Sequence, residues 1–217
     1  METVQLPYPV PYTAQIASPE LANEIFEYRL PPEQDPRWAE TGARSPQEYS
    51  YWVERACGVA CVKMSVDALG GPNRPLLDWA RAGVKMGGYL IEQGANGETL
   101  ERGWIHIALA RLCQSAGLAA VATPASLEEI VTALRAGQLV IASTSYEIGT
   151  NGPVTKRGGH LVVITGAEVH HGQPLAFFIN NPSGRYPELQ AGGRVPAGRF
   201  AEGYTGRIIR VWRESAP

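Results

Sequence analysis

The apolar residues of this chain change period part-way along, and that change constrains the fold more than any other feature. Before about residue 137 they recur at helical spacing. Cys57, Cys61, Met64 and Ala68 lie at i, i+4, i+7 and i+11, one stripe of a helix over 57–69 that Gly70-Gly71-Pro72 ends. Further helices are predicted over 74–85, 101–117 and 126–137, the last opened by a Ser126/Glu129 capping-box pattern. A short helix is expected in 18–30, with Ser18 as cap and Pro19 in the first turn, and 31–50 reads as extended and irregular. The later segments 138–144, 160–169, 174–180 and 206–212 are strand-like, and the first three are apolar on both faces. Helices followed by strands predict an α+β fold, a helical half packed on a twisted antiparallel sheet, with a site between the halves.

Composition narrows the function. A length of 217 residues fits one domain, 1–217, better than two. Nineteen Lys and Arg against 21 Asp and Glu leave a net charge of −2, without the basic excess that nucleic acid or an anionic membrane surface would require. Hydrophobic residues at 44% and charged residues at 18% exclude disorder. The 24 glycines and 17 prolines follow no period, so they mark turns rather than a fibre or linker. Three cysteines cannot build a disulfide framework, METVQLPYPVPYTAQ has neither part of a secretory signal, and no apolar run reaches the roughly 18 residues of a membrane span. A reducing, cytoplasmic setting is expected, in which free thiols persist. Gly-x-Ser-x-Gly, phosphate-loop, His-Glu-x-x-His and paired Cys-x-x-Cys motifs are missing, so neither cofactor nor metal is expected.

Three residues could carry chemistry. Cys57 opens the predicted helix and precedes Gly58. The helix field there favours a thiolate, and Gly58 would leave room for a substrate carbonyl. The ordinary alternative is a buried structural cysteine, which is the reading for Cys61 and Cys113 on helical apolar faces. His160 opens a strand after Gly158-Gly159, where an imidazole can face a cleft or be satisfied by backbone. Segment 160–181 reads as a hairpin turning near 170–172. A turn centred on His170-His171 would set His160 opposite Asn181, roughly 5 Å away, as base and orienter. Asn180-Asn181-Pro182-Ser183-Gly184 is also explained as a simple turn. His106 reads as a packing residue within a helix, and His170-His171 as a solvated loop without the spaced partners of a metal site.

The series Trp52…Ala56-Cys57-Gly58-Val59-Ala60-Cys61…Met64, Gly159-His160-Leu161-Val162-Val163…Gly166 and Ile179-Asn180-Asn181-Pro182 resembles the bacteriocin-processing, or double-glycine, peptidases and their stand-alone relatives in the papain-like clan. The resemblance runs from about Val10 to Val211. It implies a papain-like fold, with Cys57 as nucleophile, His160 as base and Asn181 as orienter where relatives carry Asp. The family also places a Gln before the Cys to serve the oxyanion. Position 51 here is Tyr51, while Val10-Pro11-Tyr12-Thr13-Ala14-Gln15 is similar to the relatives' opening strand, which implies Gln15 for that role and 16–50 as an insertion. Gln34 and Gln47 lie in polar stretches, and Tyr51 remains a hydroxyl alternative.

The implied reaction is thiolate attack on an acyl carbon, protonation of the leaving group by His160, and resolution of the acyl-enzyme by water. Peptide hydrolysis leads. Acyl transfer or hydrolysis of a small amide would use the same residues, and a binding module that has lost turnover would keep the fold.

Overall fold

Helix α3 (Cys57–Ala68) is buried from Cys57 to Val62 and again from Met64 to Val66, so nearly every face meets protein. Helices α4 (Leu76–Lys85) and α5 (His106–Ser115) cover it, and a sheet strand, β6 (Gly159–His170), runs against it. Small residues make this enclosure possible. A Cβ on Gly58 would run into the Trp104 indole and Leu109. The space beside Cys57 that the sequence reserved for a substrate carbonyl is therefore occupied by Trp104.

The computed structural model describes residues 1–94 and 96–214. Its main sheet is antiparallel throughout. Strands β4 (Ala119–Pro124), β9 (Arg207–Trp212), β5 (Leu139–Ser145), β6, β7 (Gln173–Asn180) and β8 (Gly193–Pro196) lie side by side in that order. Strand β1 (Glu2–Gln5) pairs with the second half of β6, and β5 with the first half. Both faces of β5 are buried, as expected for a covered sheet. Helix α6 (Leu127–Arg135) carries the expected capping box, with Ser126 and Glu129 each accepting from the other's backbone N–H. Helix α7 (Ala197–Gly203) bridges β8 and β9.

The β6–β7 hairpin departs from the expected register. Its turn is His171-Gly172, not His170-His171, because His171 and Gly172 take positive φ, 48° and 82°. That is the conformation whose twist suits a two-residue hairpin. Val163 thus pairs with Asn180, the last residue of β7, so the ladder ends before Asn181 and does not set it opposite His160. One irregularity between Ile164 and Gly166 and another between Glu168 and Val169 cancel, so the side chains near the site keep their faces.

Four other expectations are corrected. Residues 101–104 are not helical. Gly103 has φ +79°, which a helix excludes, and a separate ribbon of β2 (Tyr89–Gln93) and β3 (Thr99–Trp104) precedes α5. Segment 31–50 is not simply extended, because α2 (Pro46–Val53) starts within it, with Ser45 Oγ accepting from the Glu48 N–H. Residues 10–15 form no strand. The 18–30 region holds a 3-10 turn and α1 (Ala22–Phe26), and Ser18 makes no capping bond there.

Ser18 instead serves Asp35. Residues 14–53 gather a second small apolar cluster around Ile16, Ile25, Phe26, Tyr49 and Val53. At its edge the buried Asp35 carboxylate accepts from Ser18 N–H and Oγ, Arg37 N–H and Tyr49 Oη. Burial alone would raise its pKa, but the Ser18 and Tyr49 bonds, with the backbone donors, outweigh it and hold the carboxyl below its ordinary 3.8. Its stabilising effect is therefore present above that value and lost as pH falls through the lower folded value. Asp35→Ala strands four donors and is expected to cost roughly 2–4 kcal/mol in urea unfolding at neutral pH. The difference from the native protein should shrink toward pH 3. A pH-independent difference would exclude the charged carboxylate as its source.

Candidate active site

Cys57 sits at the first turn of α3 and His160 at the start of β6, and both line one cleft of about 500 Å³. The Leu161, Gly58 and Cys57 backbone N–H groups each pull the Cys57 thiol pKa down, the last two as a helix start dictates. His160 Nε2 lies 2.8 Å from Asn181 Oδ1. An amide oxygen can only accept, so Nε2 carries the hydrogen and Nδ1 is left as the basic nitrogen. His160 is 5% exposed and Asn181 fully buried.

Asn181 is held from three directions. Its side-chain oxygen also accepts the Ser183 N–H at 3.1 Å, the short loop an Asn-Pro-Ser sequence favours. Its backbone carbonyl accepts from Tyr12 Oη at 3.0 Å. Its amide nitrogen faces Gly149, where any Cβ would strike it, and has no partner. Reversing the amide would set Nδ2 against the Ser183 N–H and lose that bond.

Burial dominates the electrostatics. It pushes the Cys57 thiol up to about 11, against the pull of the Leu161, Gly58 and Cys57 N–H groups. It pushes His160 down to about 4, against the Asn181 bond. This direction opposes the thiolate expected from the helix field. The helix end supplies N–H groups, but the desolvation of a nearly enclosed sulfur outweighs them. Both shifts favour the neutral thiol and the neutral imidazole.

The first fifteen residues reach the same place. Asn180 Nδ2 donates to the Val10 carbonyl at 3.1 Å, and the Gln15 N–H donates to the Pro182 carbonyl at 2.9 Å. Gln15 is 4% exposed, whereas Gln34 and Gln47 are exposed. Its side chain turns to α2, Nε2 donating to the Val53 carbonyl while Oε1 has no partner, and it does not line the cleft. Tyr51 does not line it either, and its ring carries the Arg55 guanidinium.

The β2–β3 ribbon, invisible in the sequence pattern, forms one wall. Trp104 stacks on Trp52 and donates from its indole N–H to the Arg55 carbonyl, and Arg55 pairs bidentately with Glu101. His106, expected inside a helix, is its first residue and lines the cleft. Its pKa is lowered by burial and by Arg207. Among the described residues no group of three or more His, Cys, Asp or Glu could hold a metal ion, and no helix is long and apolar enough to cross a membrane. Cys61 and Cys113 are wholly buried away from the cleft, the packing role expected of them.

This architecture is shared with a solved enzyme domain. The peptidase domain of Streptococcus ComA, a bifunctional ABC transporter of a quorum-sensing pathway, matches with a TM-score of 0.50 at 16% identity, over 74% of this chain and 93% of that one. The chain has the fold of that peptidase domain. A double-glycine-motif protease from an AMS/PCAT transporter, solved with a leader peptide, matches at a TM-score of 0.45 and 16% identity over 73% of this chain and 84% of its own. The C39-like peptidase domain of a Vibrio parahaemolyticus toxin-secretion ATP-binding protein matches at 0.42 and 19% identity over 74% and 98%. No protein-family model matches the sequence, and no curated protein sequence does.

The geometry predicts how the thiols react. Limiting iodoacetamide should alkylate Cys57 before Cys61 or Cys113, since only Cys57, at 8% exposure, meets the cleft. With the thiol near 11, alkylation through free thiolate should climb about tenfold per pH unit between about pH 7 and 9, whereas proton transfer to His160 during attack should leave the rate flat. His160→Ala, which removes the second route, should show the full slope by mass spectrometry of the adducts, and a flat rate in that variant would exclude the raised thiol.

Proposed function

We propose that this protein is a cysteine peptidase, hydrolysing a peptide bond through Cys57, His160 and Asn181. The observation that carries the reading is the His160–Asn181 bond, made on the nitrogen that leaves Nδ1 for Cys57, in a cleft lined by both Cys57 and His160. The shared fold with a peptidase domain agrees with it.

In this mechanism the imidazole takes the thiol proton as the sulfur attacks, because the resting pair is neutral. The S–C bond forms and the carbonyl oxygen gains the negative charge. Collapse breaks the C–N bond, and the Nδ1 proton leaves with the amine. Water, deprotonated by the same nitrogen, then cleaves the thioester. Asn181 keeps the ring aimed through both halves. The Cys57 N–H, at the start of α3, supplies one donor to the oxyanion, and Gln15 is assigned the second. That role requires the Gln15 amide to release Val53 or to use its other hydrogen, and the unpartnered Oε1 beside it leaves the side chain weakly held.

Cys57→Ser and His160→Ala should abolish cleavage of a peptide library. Asn181→Asp should keep most activity and Asn181→Ala should lose it. Gln15→Ala should fold, still label at Cys57 and lose about 10²–10³ in turnover. If Tyr51→Phe or Gln47→Ala shows that loss instead, the oxyanion role leaves Gln15. Amine-acceptor trapping in the same assay separates hydrolysis from acyl transfer. Selective labelling of Cys57 with no turnover of any peptide or amide would favour a binding module.

A further inference from the structure

We propose that Ser183 is a positioning residue for His160, its hydroxyl sharing the imidazole Nε2–H with Asn181 and supplying the support that a carboxylate would give at position 181. The inference rests on the reading of His160 as the base. It arises from a side chain that neither the triad nor the sequence motifs include.

Ser183 Oγ lies 3.1 Å from His160 Nε2 and 3.4 Å from Asn181 Oδ1, at a site 8% exposed. Its own N–H is already committed to Asn181 Oδ1. Nε2–H thus has two acceptors, while the hydroxyl hydrogen is directed to the Asn181 oxygen. The turn that follows β7 accounts for the placement, since the Ser183 N–H bond to Asn181 Oδ1 folds Ser183 back toward His160.

The need for it follows from burial. When Nδ1 takes the thiol proton, a cation forms on a ring that is almost fully enclosed, and Nε2–H becomes a stronger donor. Asn181 is neutral, and its one oxygen also serves the Ser183 N–H. It cannot turn its amide without setting Nδ2 against the Ser183 N–H. A second oxygen on Nε2–H spreads the developing charge. The hydroxyl can also rotate and donate should Nε2 lose its hydrogen, which an amide oxygen cannot do. Ser183 would thereby hold the ring through the whole proton cycle without touching substrate.

The test reads the imidazole as well as turnover. The titratable and charged groups that line the cleft with His160 are Cys57 from α3 and Glu54, Arg55, Tyr89, Glu101, Arg102, His106 and Arg207. All remain unchanged in the variants. Ser183→Ala keeps the backbone bond to Asn181, and Ser183→Thr restores a hydroxyl, with Ser183→Val as its isostere. Nitrogen-15 NMR of His160 follows the tautomer and titration, and iodoacetamide labelling of Cys57 follows base strength, neither requiring a known substrate. Ser183→Ala and Ser183→Val should titrate at lower pH than the native ring and label Cys57 about tenfold more slowly, while Ser183→Thr labels near the native rate. In Asn181→Asp, where a carboxylate meets Nε2, Ser183→Ala should cost less than about threefold. Equal losses in both backgrounds, or an unchanged His160 titration in Ser183→Ala, would overturn the proposal. Failure of native protein to cleave any peptide would remove the peptidase reading, while NMR and labelling would still decide the role of Ser183.

Discussion

The packing of α3 on β6 is the contact on which the candidate site depends. It brings the first residue of a helix within reach of the first residues of a strand about a hundred positions later, and it buries both. The same burial has opposite effects on the two groups, raising the thiol and lowering the imidazole. A separated ion pair would need water or further charge to persist there. The arrangement favours transferring the proton during bond formation rather than before it. Neutral supports, an amide and a hydroxyl, suit such a site better than a buried carboxylate without a cationic partner.

Much of this was legible in the sequence. The α3 stripe, the α6 capping box and the four apolar strands were marked by local signals that tertiary packing reinforced rather than overrode. Cys57, His160 and Asn181 could be singled out because each stands at the boundary of a regular element. The rest was hidden for physical reasons. A two-residue turn of His171 and Gly172 requires a non-glycine residue at positive φ, which composition alone does not announce. The β2–β3 ribbon carries its polar residues on both faces and rests on the aromatic rings at its base, so it lacks a clean alternation. Helix α2 was signalled by Ser45-Pro46 with Glu48 two residues on, but lay within a stretch whose prolines suggested extended chain.

Ser183 and Gly149 were hidden differently. Asn-Pro-Ser is an ordinary turn, and nothing local tells which of its polar atoms will meet an imidazole. Gly149 has no backbone need for glycine, since its φ is not positive. Its requirement is space for an amide 32 residues away, visible only once the chain is folded. Gln15 shows the converse: it is buried and linked to Pro182, while its side chain points to Val53.

The dependence of the Asn181 loop on Val10, Tyr12 and Gln15 sets an order of events during synthesis. Residues 10–15 must wait for the segment at 180–182, because their partners lie about 170 positions downstream. Helix α3 can form as soon as it emerges, but its cleft gains His160 only after β6 has been made and a fixed imidazole only after Asn181 and the loop beyond it. A nascent chain therefore carries Cys57 without the His160–Asn181 pair until that loop has been made. The topology itself delays any chemistry the cleft performs until the domain can close around it.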